Sequence, residues 1–287
     1  MRYDRASFSF HTTPIPMPPS LATLLGLSPH LTISSAVLSE TGRREHNEDR
    51  TGNLQLENGN SCWVVADGLG GHGAGEIAAQ LTVQTIIETF TQQSAISAEN
   101  IRYLVCQANQ RLLSAQSATP NGKDMASTVV VLLLDDRHAV WGYSGDSRLY
   151  RFRANRYALL TTDHSMAQLL IRMDEIDAEQ LRSHPDRNTL LHCLGRDSCH
   201  VDVSRVEKLC VDDVFLLCSD GFWEYVLEQE MLDDLHTTTC LTTWLSALKK
   251  RLLCRVAEQG KLNHHDNYTA LAISIKKQKP SGGQYHD

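Results

Sequence analysis

The chain has 287 residues, 41% hydrophobic and 21% charged, with 17 glycines and 8 prolines, the composition of a folded domain rather than a fibrous or low-complexity chain. Its 27 basic and 34 acidic side chains leave a net charge of −7, which excludes non-specific nucleic-acid binding as its main business. The eight cysteines show no CxxC spacing and no apolar run reaches the ~18 residues of a membrane span, so a disulfide framework, a zinc knuckle and a membrane span are all unexpected.

Residues 1–30 carry Thr-Pro, Pro-Met-Pro-Pro and Ser-Pro and read as a flexible extension without a signal-peptide core, so a cytoplasmic location is expected. Ordered sequence begins at Leu31, where LTISSAVLSE reads as a strand, followed by the polar RREHNEDR segment and a strand over Thr51–Leu56. Asn58-Gly59 is a hairpin signal into Cys62–Ala66, a buried strand that ends in Asp67 and a glycine-rich turn. The spacing then predicts helices over Glu76–Phe90 and Ala98 to about Ala115, the second capped by Ser97.

Four short runs follow, Thr128–Leu134, Ala139–Ser144, Leu149–Arg153 and Tyr157–Leu160, and their tight connections predict an antiparallel meander. From about 163 to 195 short, charged helical pieces form an insertion of the kind that covers a site; its Arg172, Arg182 and Arg187 suit acidic or phosphorylated partners or a solvated charged face. Strands resume at Val201–Val206 and Val214–Cys218, helices occupy Glu228–His236 and Leu241–Glu258, and a strand over Thr269–Ile275 closes the domain before a polar tail, 278–287. Composition does not break between 31 and 277, so one α+β domain is expected, with two packed antiparallel sheets flanked by helices.

Apolar strands run into Asp67, Asp146 and Asp220, and Asp266 precedes another; Glu48 and Asp49 sit in the polar segment. Several carboxylates gathered at buried strand ends cannot all ionise unpaired. Hard divalent cations with oxygen ligands are the natural remedy, and no His or Cys pair has zinc spacing.

Six motifs now stand in order: REHNED at 44–49, DGLGGHGAGE at 67–76, MAST at 125–128, GDSR at 145–148, SDG at 219–221 and DNYT at 266–269. In these the chain resembles the metal-dependent serine/threonine protein phosphatases of the PPM (type 2C) family, in their compact bacterial form. The resemblance implies a four-layer α-β-β-α sandwich, a flap at about 163–195, and a centre of two, possibly three, Mn²⁺ or Mg²⁺ ions. Matched by motif, Asp67 bridges two ions; Asp220 and Asp266 complete one, while Glu48 and the Gly68 carbonyl serve the other. Asp49 holds bound water, Asp146 with Asp220 offers a third site, and Arg44 grips the substrate phosphate through a guanidinium fork. The implied reaction is attack of a metal-bridging water on phosphoserine or phosphothreonine without a covalent phospho-enzyme.

Phosphorylated proteins, including a serine/threonine kinase, are the implied partners, and a monomer is expected. Leu69 stands where eukaryotic members have a histidine, which leaves the general acid open among a bound water, His72 and His164. Competing readings are a catalytically dead binding module, which the retention of every ligand acid disfavours, and a dedicated regulator acting on one small partner.

Overall fold

The structure is a computed structural model describing residues 31–71, 73–118 and 122–277; the 1–30 extension, the tail and His72 lie outside the described residues. Two antiparallel sheets organise it. One runs β1 (Leu31–Glu40), β12 (Tyr268–Lys277), β11 (Val214–Cys218), β7 (Arg148–Arg153), β8 (Arg156–Leu159). The other runs β10 (Glu207–Lys208), β6 (His138–Ser144), β5 (Val129–Leu134), β3 (Ser61–Leu69), β2 (Asp49–Gln55), with the short β4 (Ala126–Ser127) on β3 and β9 (Asp202–Val203) on β6.

The layering follows from two-residue alternation along the strands. On β3 and β5, Cys62, Val64, Ala66, Val129, Val131 and Leu133 face the helices α1 (Ala74–Gln92) and α2 (Ala98–Ala118). Their neighbours Trp63, Val65, Val130 and Leu132 face the other sheet, meeting Phe215, Leu217, Leu271 and Ile273. On the far side of that sheet, Leu216, Cys218, Ala270 and Ala272 pack with Trp244, Leu248 and Leu252 of α6 (Leu241–Glu258) and Met231 of α5 (Glu228–Thr237). Three apolar layers therefore separate four layers of secondary structure, the α-β-β-α sandwich expected. Burying a side chain such as Leu or Phe contributes roughly 1.5–3 kcal/mol, so strands apolar on both faces are committed to the interior.

Three local expectations need correction. Strand β3 does not stop at Ala66 but continues through Asp67, Gly68 and Leu69, because β4 pairs with it (Gly68 opposite Ser127, Leu69 opposite Ala126). Asp67 is thus held inside a ladder, not at a free strand end. The expected four-strand meander is also split: β6 pairs with β5 in one sheet, whereas β7 pairs with β8 and β11 in the other. The chain changes sheets at Gly145, whose φ of +110° and approach to Thr128 (2.7 Å from an added Cβ) suit only glycine. Val201–Val206 is likewise interrupted, forming only β9 before β10 begins at Glu207.

The insertion holds α3 (Met166–Arg172) and a 3₁₀ turn over Ala178–Ser183. Its base is pinned where buried Arg148 on β7 grips Asp163 with two bonds of 2.9 and 2.7 Å and lies 3.5 Å over the Trp223 ring. A bridge between Ser127 and Leu194 ties down its other end.

Candidate metal and phosphate site

The acids come from both sheets at one end of the sandwich. Asp49 opens β2 directly opposite Asp67 on β3. Asp146 follows the Gly145 crossover, Asp220 opens the short helix α4 (Asp220–Trp223) after β11, and Asp266 precedes β12. The backbone around Asp67 is held independently of its carboxylate: its N–H donates to Thr128 Oγ1 (3.1 Å), and its carbonyl accepts from Thr128 N–H (2.8 Å) and Ser127 Oγ (3.1 Å).

Burial and mutual repulsion define the electrostatics. Burial first, then the charges of Asp49, Asp220, Asp146 and Asp266, hold the Asp67 carboxyl well above the usual range. Asp220 is pushed up in the same way, by burial and then Asp146, Glu224 and Asp266. Burial also raises Asp146, to about 7, with the charge of Asp163 adding to it. Asp49 rises to about 6 through burial, opposed by the hydrogen bond from Ser219. Glu48 is raised by burial and partly relieved by Arg44. The expected acids thus share one strongly negative field. Arg44 lies in it too, its Nη2 donating to Asp266 Oδ2 at 2.6 Å from a largely exposed side chain.

Asp49 Oδ2 accepts from Ser219 Oγ (2.7 Å), but its Oδ1 is buried without any hydrogen-bond partner. A buried carboxylate oxygen left so is costly unless a cation or a bound water completes it. At Gly75 an added Cβ would lie 2.7 Å from the Gly68 carbonyl oxygen and 2.8 Å from Glu48 Oε1, so the two converge on space kept open by the missing side chain. An all-oxygen donor set of this kind fits Mg²⁺ or Mn²⁺, which keep several waters. Asn267 fixes the loop that carries these groups: its Oδ1 accepts from Glu48 N–H (2.8 Å), and its Nδ2 donates to the carbonyls of Thr41 (2.7 Å) and His46 (3.0 Å).

The spacing argument missed Ser219, Thr269 and Glu224. Only the serine within SDG and the threonine within DNYT gave a hint of the first two.

Among the described residues, the one trio of His, Cys, Asp or Glu donors within 4.8 Å of one another lies elsewhere, at His164, His200 and Asp202. Its chemistry argues against ligation through His164. Nδ1 of that ring accepts from the Gly145 N–H (3.2 Å), so the proton sits on Nε2, facing Asp202 Oδ2 at 3.2 Å. A ligating imidazole does the reverse, offering a lone pair to the ion and an N–H to its support. His164 is instead a buttress beneath Gly145, stacked on Tyr143, and its one proton, on Nε2, is directed to Asp202 rather than to a leaving group.

A family model described as protein phosphatase 2C matches residues 39–259. The serine/threonine phosphatase Stp of Listeria welshimeri is 33% identical over 242 residues, 82% of this chain and 93% of that protein. The structure of the serine/threonine phosphatase Stp1 from Staphylococcus aureus superposes with a TM-score of 0.75 at 25% identity, covering 85% of this chain and 96% of Stp1. The catalytic domain of the phosphatase PstP, solved with two manganese ions, shares the fold at a TM-score of 0.73 and 22% identity over 86% of this chain and all of that domain (100%). The chain belongs to the protein phosphatase 2C family, whose members depend on metal ions.

Proposed function

We propose that this chain is a phosphoprotein phosphatase that hydrolyses phosphoserine and phosphothreonine with two Mn²⁺ or Mg²⁺ ions. In this reading it acts as a cytosolic monomer and opposes a serine/threonine kinase. The observation that carries the proposal is the cluster of Asp67, Asp220, Asp146 and Asp49, all driven up by burial, with Asp67 and Asp220 raised further by the charges of the others, in a chain of this family. Among the described residues no helix is long and apolar enough to cross a membrane.

Bound ions would neutralise the acids, lower the pKa of water and clamp phosphoryl oxygens. Asp67, Asp220, Asp266, Glu48 and the Gly68 carbonyl would hold two ions, and Asp146 with Asp220 would offer a third position. Asp49, whose Oδ1 lacks a protein partner, would orient water by accepting its proton in a hydrogen bond. Arg44 would leave Asp266 for the substrate phosphate once an ion neutralises that carboxylate, presenting its fork to two phosphoryl oxygens.

The test is release of phosphate from p-nitrophenyl phosphate and from a phosphothreonine peptide. Turnover should require Mn²⁺ or Mg²⁺, stop in EDTA and return on re-addition, since oxygen-ligated ions exchange. A folded protein that releases no phosphate from either substrate with either ion would overturn the reading in favour of a binding module.

Arg44→Ala should lower kcat/KM for the phosphopeptide about 10–100-fold, mainly through KM, because one charged contact is worth roughly 1.5–3 kcal/mol. Mn²⁺ affinity, followed by calorimetry, should stay within a few-fold. Wild-type kinetics in this variant would remove Arg44 from the phosphate-binding role.

A further inference from the structure

Beside the acid cluster lies a second feature that hydrolysis itself does not use. A cavity of about 360 Å³ opens between the insertion, the end of α6 and the segment following α4. Its wall carries Arg182 and Arg187 from the insertion, Arg255 and Lys261 from the end of α6 and just beyond, and only two carboxylates, Glu179 and Glu224.

The cations are unequally satisfied. Arg182 Nη2 bonds Glu228 (2.7 Å) and Arg255 Nη2 bonds Glu230 (2.7 Å), two carboxylates that are not on the cavity wall. Arg187 gives its Nε to Glu224 (2.6 Å), so one of the two wall carboxylates is already engaged. Lys261 has no carboxylate within ion-pair distance among the described residues. Its ammonium meets the Tyr225 hydroxyl at 3.4 Å and the face of that ring at 5.3 Å, and acts on Glu224, already bonded to Arg187, through charge alone. It is held there by the end of α6, where Gly260 takes φ +67° and the Lys261 N–H bonds the Val256 carbonyl at 2.9 Å. The exposed Leu227 adds an apolar edge.

The cavity also adjoins the reaction centre. The Glu224 N–H donates to the Asp220 carbonyl (2.9 Å), so the wall begins one helical turn beyond a proposed metal ligand, about 6 Å along the helix. A group bound in the cavity would therefore sit within a few residues' reach of a phosphate at the acid cluster, at roughly 3.3 Å per extended residue.

We propose that this cavity is a specificity subsite for a second anionic group of the phosphoprotein substrate, an Asp or Glu carboxylate or a second phosphate near the scissile one, with Lys261 as its principal contact and Arg187 beside it. The proposal rests on the phosphatase reading. Long-range charge does not supply such a preference, because the net charge of −7 repels acidic peptides. Only a local concentration of cations reverses that bias.

The experiment measures kcat/KM with Mn²⁺ for phosphothreonine peptides carrying a single Glu, or a single second phosphothreonine, placed in turn at each position from about four before to four after the scissile residue. The wild type should prefer an acidic group at one or two adjacent positions by about 5–10-fold over Ala there, mostly through KM. The two series decide whether carboxylate or phosphate is the better occupant. Lys261→Ala should remove most of that ratio and Lys261→Glu should invert it toward a Lys-bearing peptide. No preference in the wild type, an equal gain at every position, or an unchanged ratio in Lys261→Glu would each overturn the subsite. Turnover of p-nitrophenyl phosphate by the wild type is scored separately; its absence would sink the phosphatase reading itself.

Discussion

Asp67→Asn should lose turnover by about 10³-fold or more while the protein stays folded. The expected loss is large because Asp67 is the proposed shared ligand of two ions, and even groups one shell further out typically change metal affinity or activity by 10–100-fold. The fold should survive for a reason visible around the residue. Its backbone is held by Ser127 and Thr128, and its neighbours on β3 are paired on both sides, so no structural bond depends on the charge. Asparagine has nearly the same shape and removes a carboxyl that is otherwise repelled by Asp49, Asp220, Asp146 and Asp266. Calorimetric titration with Mn²⁺ should show two sites in the wild type and a loss of paired binding in the variant. Unchanged two-site binding would end the bridging role, whatever happened to the rate.

Much of this arrangement can be read in the sequence because two strong regularities coincide. The strands alternate so cleanly that Cys62, Val64 and Ala66 separate from Trp63 and Val65 onto two different cores, and the acids follow apolar runs at Asp146 and Asp220. What stayed hidden depends on pairing between segments far apart in the chain. Nothing local to CWVVADGL says that Ala126 and Ser127 will extend the strand past Asp67, since that ladder joins residues about 58 apart. The change of sheet at Gly145 is hidden for the same reason: a short turn between two apolar strands reads as a hairpin unless partners for β7 are known. Asn267 reads simply as the neighbour of Asp266, yet it bonds three groups on a loop more than 200 residues away. The order of motifs brought Arg44 to the site, but its ion pair with Asp266 is visible only in three dimensions. Lys261 has no signal in the sequence, because the cavity it lines is built from segments far apart in the chain.

The acid cluster also predicts an unusual stability profile for the protein stripped of metal. In EDTA, stability should fall as pH rises from about 4.5 to 7.5, the opposite of what salt-bridged carboxylates produce. Asp49 titrates at about 6 and Asp146 at about 7, and Asp67 and Asp220 are higher than usual as well, against roughly 3.9 for an unfolded aspartate. Between those values the unfolded chain has released protons that the folded chain retains, so ΔG of unfolding declines with pH. The contribution is fully present below the unfolded pKa and is lost as pH passes through the raised folded values. At about 1.4 kcal/mol per pKa unit, Asp49 and Asp146 alone would cost several kcal/mol by pH 7.5, and Asp67 and Asp220 act in the same direction. Carboxylates with lowered values, Glu230 beside Arg255 and Asp202 beside His164, lose their contribution only as pH falls toward 4 and below, outside this window. Buried His164 and half-buried His192, held below the usual histidine range by desolvation, tilt the curve the other way near pH 6.5. They are two modest opposing shifts against four larger ones. Saturating Mn²⁺ should reverse the slope, since the ions bind only ionised acids and stabilise the folded state by mass action. In EDTA at pH 7.5, Asp146→Asn should raise stability by about 1–3 kcal/mol and flatten the profile, because it removes one charge from the repulsive set. Urea unfolding at half-unit pH steps, with EDTA and with Mn²⁺, measures all of this directly. A chelated protein whose stability stays level or climbs between pH 5 and 7.5 would mean that the acids are not held together as charges awaiting a cation.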